Sequence, residues 1–139
     1  MITEKDMVDA TAQRLRSANA RVALEVPFMC QSIDMVYEDR LEKLVAIEFK
    51  RHDWNRALEQ CRTHLLGADQ VYICLLRRDP PAVLQAELAK SGIGLLLFDA
   101  STPGGVIVHT QARDTACSLQ FPASWLRQAF EQRLAQGDR

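Results

Sequence analysis

Two short, unbroken apolar runs constrain this chain more than any other feature. Residues 71–76 read Val-Tyr-Ile-Cys-Leu-Leu and residues 93–98 read Ile-Gly-Leu-Leu-Leu-Phe. Runs of this length with no polar alternation are strands buried on both faces of a sheet. Layers must therefore cover the sheet above and below. The segment between them begins with Asp79-Pro80-Pro81, and Pro81 suits a helix start. A helix follows over residues 82–90, and Ser91-Gly92 ends it.

The rest of the chain supplies the covering layers and further strands. Residues 3–17 place Val8, Ala12 and Leu15 at helical spacing, with Thr3 as N-cap and acids at Glu4 and Asp6 in the first turn. Residues 21–28 alternate, with Val22, Leu24 and Val26 on one face and Ala23 and Glu25 on the other; Pro27 should stop the strand. Residues 32–37 form a second strand with Ile33 and Met35 on one face. After a charged turn over 38–43, residues 44–50 form a third. There Val45, Ile47 and Phe49 face one way, and Ala46, Glu48 and Lys50 the other. Asp53 can cap a helix that runs to about Leu66 and stops at Gly67, with Trp54, Leu58, Cys61 and Leu65 as its apolar stripe. Gln60 and His64 share a neighbouring face of it. A Pro103-Gly104-Gly105 turn separates the strand at 93–98 from another at 106–110, and a helix over 123–136 closes the chain. The order predicts one domain over residues 1–139: a mixed β-sheet flanked by helices, in the α/β class.

Bulk properties exclude several alternatives. With 139 residues, 47% hydrophobic and 25% charged, the chain can bury a core without disulfides, and it is not disordered, collagen-like or a coiled coil. The start Met-Ile-Thr-Glu-Lys-Asp has no apolar stretch behind it, which predicts a cytoplasmic protein. Cys30, Cys61, Cys74 and Cys117 form no CxxC pair. The first three sit among apolar neighbours and read as small buried hydrophobes. His52 and His109 have no partner spacing and are expected at the surface. Net charge is −1, yet residues 50–78 hold six cations against three anions. A local basic segment thus lies beside an acidic remainder, which leaves room for modest, salt-sensitive nucleic-acid binding.

Polar residues inside strands call for chemistry. Glu48 and Lys50, two apart, project side by side, and hairpin pairing of the second and third strands can bring Asp34 beside Glu48. Two carboxylates held together persist only if a cation neutralises them, and an all-oxygen set suits Mg²⁺ or Mn²⁺. A lysine there can orient an attacking water. The competing reading is a solvated face of an edge strand, with Gln60 and His64 as the polar margin of an amphipathic helix.

Ile33-Asp34 followed by Glu48-Phe49-Lys50 resembles the PD-(D/E)xK nuclease superfamily, with its restriction-endonuclease-like core. The order of elements over roughly residues 3 to 76 is similar, and the helix with Asn55-Arg56-Ala57-Leu58-Glu59-Gln60 resembles the branch bearing Gln-x-x-x-Tyr, here Gln60-x-x-x-His64. The residue before Asp34 is Ile33 where the family motif has Pro. The resemblance implies Asp34 and Glu48 as metal ligands, Lys50 as the catalytic lysine, and Gln60 at the site or the DNA backbone. Glu25 would be a further acidic metal ligand, and Glu4 would correspond to an extra glutamate on the first helix. It implies a Mg²⁺- or Mn²⁺-dependent deoxyribonuclease acting on DNA, with a homodimer or partner protein supplying selectivity. The rival expectations are a non-catalytic nucleic-acid-binding or assembly module on the same fold, and an α/β protein whose site lies elsewhere.

Overall fold

The computed structural model describes residues 1–102, 105–115 and 120–137. Its centre is a six-stranded sheet built from β1 (Arg21–Phe28), β2 (Gln31–Glu38), β3 (Leu44–Phe49), β4 (Gln70–Leu76), β5 (Gly94–Phe98) and β6 (Val106–Thr110), in that spatial order. β1, β2 and β3 are antiparallel neighbours; β3, β4 and β5 run parallel; β6 returns antiparallel to β5. The helices are α1 (Glu4–Ser17), α2 (Trp54–His64), α3 (Ala82–Ser91) and α4 (Gln120–Ala135). The mixed sheet flanked by helices is the architecture that the order of elements predicts.

The two parallel crossovers carry α2 and α3, which the apolar runs demand: β4 and β5 sit inside the sheet and are buried on both faces. One face is covered by α1, whose Met7 and Ala12 pack with Val22, Met35, Val45, Ile47 and Phe49. The other is covered by α2, α3 and α4, through Leu58, Cys61, Leu84, Leu88, Leu126 and Phe130. Thr3 caps α1 in a reciprocal box with Asp6, and Gly92, with φ +78°, ends α3. No helix among the described residues is long and apolar enough to cross a membrane.

Several expectations are corrected. β1 runs through the exposed Pro27, because it is an edge strand whose outer side needs no ladder donor. α2 ends at His64 rather than Leu66, and the Asp53 side chain makes no cap hydrogen bond. α4 begins at Gln120, ahead of the expected 123. Cys30 is exposed, since Met29 and Cys30 form a two-residue hairpin loop with φ of +53° and +62°. Cys61 and Cys74 are buried as expected, while Cys117, Pro103 and Gly104 lie outside the described residues.

The correction with functional weight concerns alternation in β1 and β2. Val22 and Leu24 pack on the α1 face, but Val26 and Phe28 pack on the opposite face. Across the ladder, Ile33 and Met35 also divide between the two cores. Leu24↔Met35 and Val26↔Ile33 remain paired, and between them Glu25 and Asp34 drop out of the ladder. Glu25 takes φ +51°, the left-handed region that side chains other than glycine rarely occupy. Both strands therefore exchange faces at one point, and Asp34 sits there.

Candidate active site

Asp34 is left without ladder partners on either side, because the β2–β3 pairing also ends at Met35↔Ile47. Carboxylates replace the missing backbone acceptors. The Asp34 N–H donates to Glu48 Oε1 at 3.4 Å, and the Phe49 N–H donates to Asp34 Oδ2 at 2.8 Å. The exchange is reciprocal, and it places the two carboxyl groups close enough for each to act on the ionisation of the other. Glu48 lies between Ile47 and Phe49, so it points to the α2 face, and it is only 2% exposed.

Burial and the like charge of Glu48 push Asp34 up to about 7. Burial also raises Glu48, against the opposing hydrogen bonds from Asp34 and the charge of Lys50. Lys50, just beyond β3, donates its N–H to Cys74 O at 3.0 Å and is half-buried. Its positive charge favours the ionised form of both carboxyls. Asp34 and Glu48 thus meet across β2 and β3, and Lys50 lies close enough to act on both.

His64 is the member that sequence reading placed least well. It is fully buried, with Nε2 2.7 Å from Glu48 Oε1. Helical periodicity puts it on a polar margin, and only a partner sixteen residues away on β3 explains an interior imidazole. The Gln60-x-x-x-His64 spacing was the available signal. Burial lowers His64 to about 4, with the Asp34 charge acting the other way.

Gln60 lies on the same helix, one turn earlier, and its Oε1 is shielded from solvent without a hydrogen-bond partner among the described residues. It lines a groove of about 910 Å³ together with Gln31, Trp54, Arg56, Arg62 and Glu87. Trp54 is half-buried and packs partly against the core. Glu25 does not join the carboxyl pair: it is exposed, and its turn of backbone sends it into a cleft of about 410 Å³ shared with Glu4, Asp34 and Arg133. Glu4, whose Oε2 accepts from the Arg51 N–H at 3.2 Å, also acts electrostatically on Glu48. Among the described residues, no three His, Cys, Asp or Glu side chains are grouped to hold a metal.

Of the basic segment, Arg62 pairs with Glu87 at 3.0 Å and Arg77 with Asp99 at 2.7 Å. Arg51, Arg56 and Arg78 make no ion pair among the described residues. Burial pushes Cys74 up to about 12 and Cys61 well above the usual thiol range, so neither is a thiolate nucleophile. His52 and His109 are exposed, as expected.

No protein-family model matches the chain, and no curated protein matches it in sequence. Among solved structures it is similar to the SfsA protein of Pyrococcus furiosus, solved in complex with Ca²⁺, at 13% identity and a TM-score of 0.46, covering 78% of this chain and 62% of that one. It is also similar to a protein of unknown function from Silicibacter pomeroyi, 20% identical, with a TM-score of 0.70 over 97% of this chain and 88% of that one. The chain therefore shares its whole fold, a mixed six-stranded sheet with four helices, with a protein of known structure.

Proposed function

We propose that this chain is a metal-dependent phosphodiesterase that hydrolyses DNA, of the PD-(D/E)xK kind, with a site on Asp34, Glu48 and Lys50. The observation that carries the reading is the break in the β1–β2 ladder, which seats Asp34 against a buried Glu48 with Lys50 alongside. Two carboxylates forced together repel, as the rise of Asp34 to about 7 reflects, and a divalent cation neutralises that excess negative charge. The donors are all oxygen and only two carboxylates converge. Water and a phosphate oxygen would complete the shell, as suits Mg²⁺ or Mn²⁺. A bound ion of this kind polarises a phosphate oxygen and acidifies water.

The chain's own residues divide the remaining work. Asp34 and Glu48 hold the anionic pocket. The Lys50 ammonium orients the attacking water and offsets charge on the phosphate. Gln60 would face the substrate backbone from α2, and Arg56 and Arg78, which make no ion pair among the described residues, are cations available to phosphate. Glu25 and Glu4 border the adjoining cleft, Glu25 as the outlying acid of the set. A homodimer or a partner protein would supply selectivity.

With Mg²⁺ or Mn²⁺, the purified protein should cleave at least one of single-stranded, double-stranded or branched DNA. Lys50→Ala and Asp34→Ala should each lose roughly 10²–10⁴-fold in rate. Absence of metal-dependent cleavage in the wild type on all three substrates overturns the catalytic reading. The low exposure of Glu48 favours a second reading, a non-catalytic nucleic-acid-binding or assembly module. That module would bind DNA with no calorimetric signal for Mn²⁺.

A further inference from the structure

Glu48 is not held by its sheet neighbours alone. His64, the last residue of α2, is 0% exposed and lays Nε2 2.7 Å from Glu48 Oε1. Its other nitrogen, Nδ1, is shielded from solvent and has no hydrogen-bond partner among the described residues. The nearest thiol on the same helix, Cys61, gives its Sγ to the Tyr72 carbonyl at 3.7 Å instead.

These facts together choose a tautomer. A proton on Nδ1 would bury an N–H with no acceptor and turn the Nε2 lone pair toward a carboxylate oxygen. Both are costly in an interior. A proton on Nε2 makes the short contact a donated hydrogen bond and leaves at Nδ1 only an unused lone pair. A doubly protonated ring would bury the same Nδ1–H without an acceptor, so the geometry selects the ring that carries its one proton on Nε2. Glu48 Oε1 then receives two donors, His64 Nε2–H from α2 and the Asp34 N–H from β2.

We infer that His64 is a positioning residue for the candidate metal site: it donates Nε2–H to Glu48 Oε1 and fixes that oxygen, leaving the other carboxylate oxygen as the one to share a cation with Asp34. The inference rests on the proposed cation site. Outer hydrogen bonds of this kind set ligand orientation, and their loss weakens metal affinity by roughly 10–100-fold.

The test uses the full chain, with Mn²⁺ as the calorimetric probe and long-range ¹⁵N–¹H correlation on metal-free protein. His64 should appear as the neutral Nε2–H tautomer. His64→Gln keeps a donor of similar reach and should hold Mn²⁺ affinity within about threefold, whereas His64→Leu should lose roughly 10–100-fold. An Nδ1–H tautomer overturns the inference. So does a His64→Leu variant that binds Mn²⁺ as tightly as wild type. Equal losses in the Gln and Leu variants would reduce His64 to a packing role. If wild type binds no Mn²⁺, the cation-site reading fails. The tautomer of the wild-type ring then decides by itself whether His64 donates to Glu48.

Discussion

Asp34 does two jobs that oppose each other. Its Oδ2 accepts from the Phe49 N–H, which structure needs, and its charge lies against Glu48, which structure resists. Asparagine separates the jobs, because it keeps an amide oxygen for Phe49 and removes the charge. Asp34→Asn should therefore be more stable than wild type at pH 8 by about 1–3 kcal/mol. Asp34→Ala strips the acceptor from a buried N–H and should show less of that gain or none. Thermal melts of both variants check the ordering. A site that has sacrificed stability for charge gives this signature, and an ordinary surface aspartate does not. Of the candidate site residues, Asp34, Glu48 and Lys50 stand out in the sequence as acids and a lysine in or beside apolar strands. Glu25 was misread, since nothing in its neighbours Leu24 and Val26 marks a left-handed backbone. A glycine or asparagine there would have done so.

At the scale of the element, the β1–β2 hairpin concentrates the chain's unusual backbone. Glu25, Met29 and Cys30 all have positive φ within six residues. The Met29-Cys30 loop has both central residues left-handed, the conformation that two-residue hairpins reserve for Asn-Gly. Cys30 is exposed and carries no packing duty, whereas Met29 leans on the core. Cys30→Gly should thus stabilise the protein by about 1 kcal/mol, read as a rise in denaturation midpoint. No change, or a loss, would mean that the loop conformation is not strained. Strands and helices were otherwise readable from periodicity: β3 and β4 by their apolar pattern, α1 by its cap, α3 by Gly92. The end of α2 was less so, because Leu65 and Leu66 continue the apolar pattern past His64.

Stability against pH is a property of the whole molecule, and two residues of one site pull it in opposite directions. Asp34 is raised from 3.8 to about 7, so between these values the native state binds more protons than the unfolded state. Its contribution falls as pH rises. His64 is lowered from 6.5 to about 4, so the unfolded state binds more protons and its contribution rises with pH. Each slope is at most about 1.4 kcal/mol per pH unit. From about pH 4 to 6.5 the two largely cancel. Relative to wild type, Asp34→Asn should gain stability as pH rises from 4 to 7. His64→Gln should lose it from 4 to 6.5. Urea midpoints across that range check both signs, and parallel profiles for the two variants would refute the opposition. Each difference from wild type removes the common contribution of the exposed acids, such as Asp6 and Asp114, which are lowered by their own hydrogen bonds.

The exchange of faces in β1 and β2 has a consequence for how such a site can change over time. It behaves like a stacking fault between two well-ordered crystal blocks. Pairing is regular on either side, and the only unmatched cells, Glu25 and Asp34, lie on the boundary itself. Because both strands shift phase together, neither block sees an error. The boundary cannot drift along one strand, since moving it on β1 alone would turn Val26 or Leu24 into the wrong core. Only a paired change on both strands moves it. The location of the acid opposite Glu48 is thus pinned by the two cores that the boundary separates.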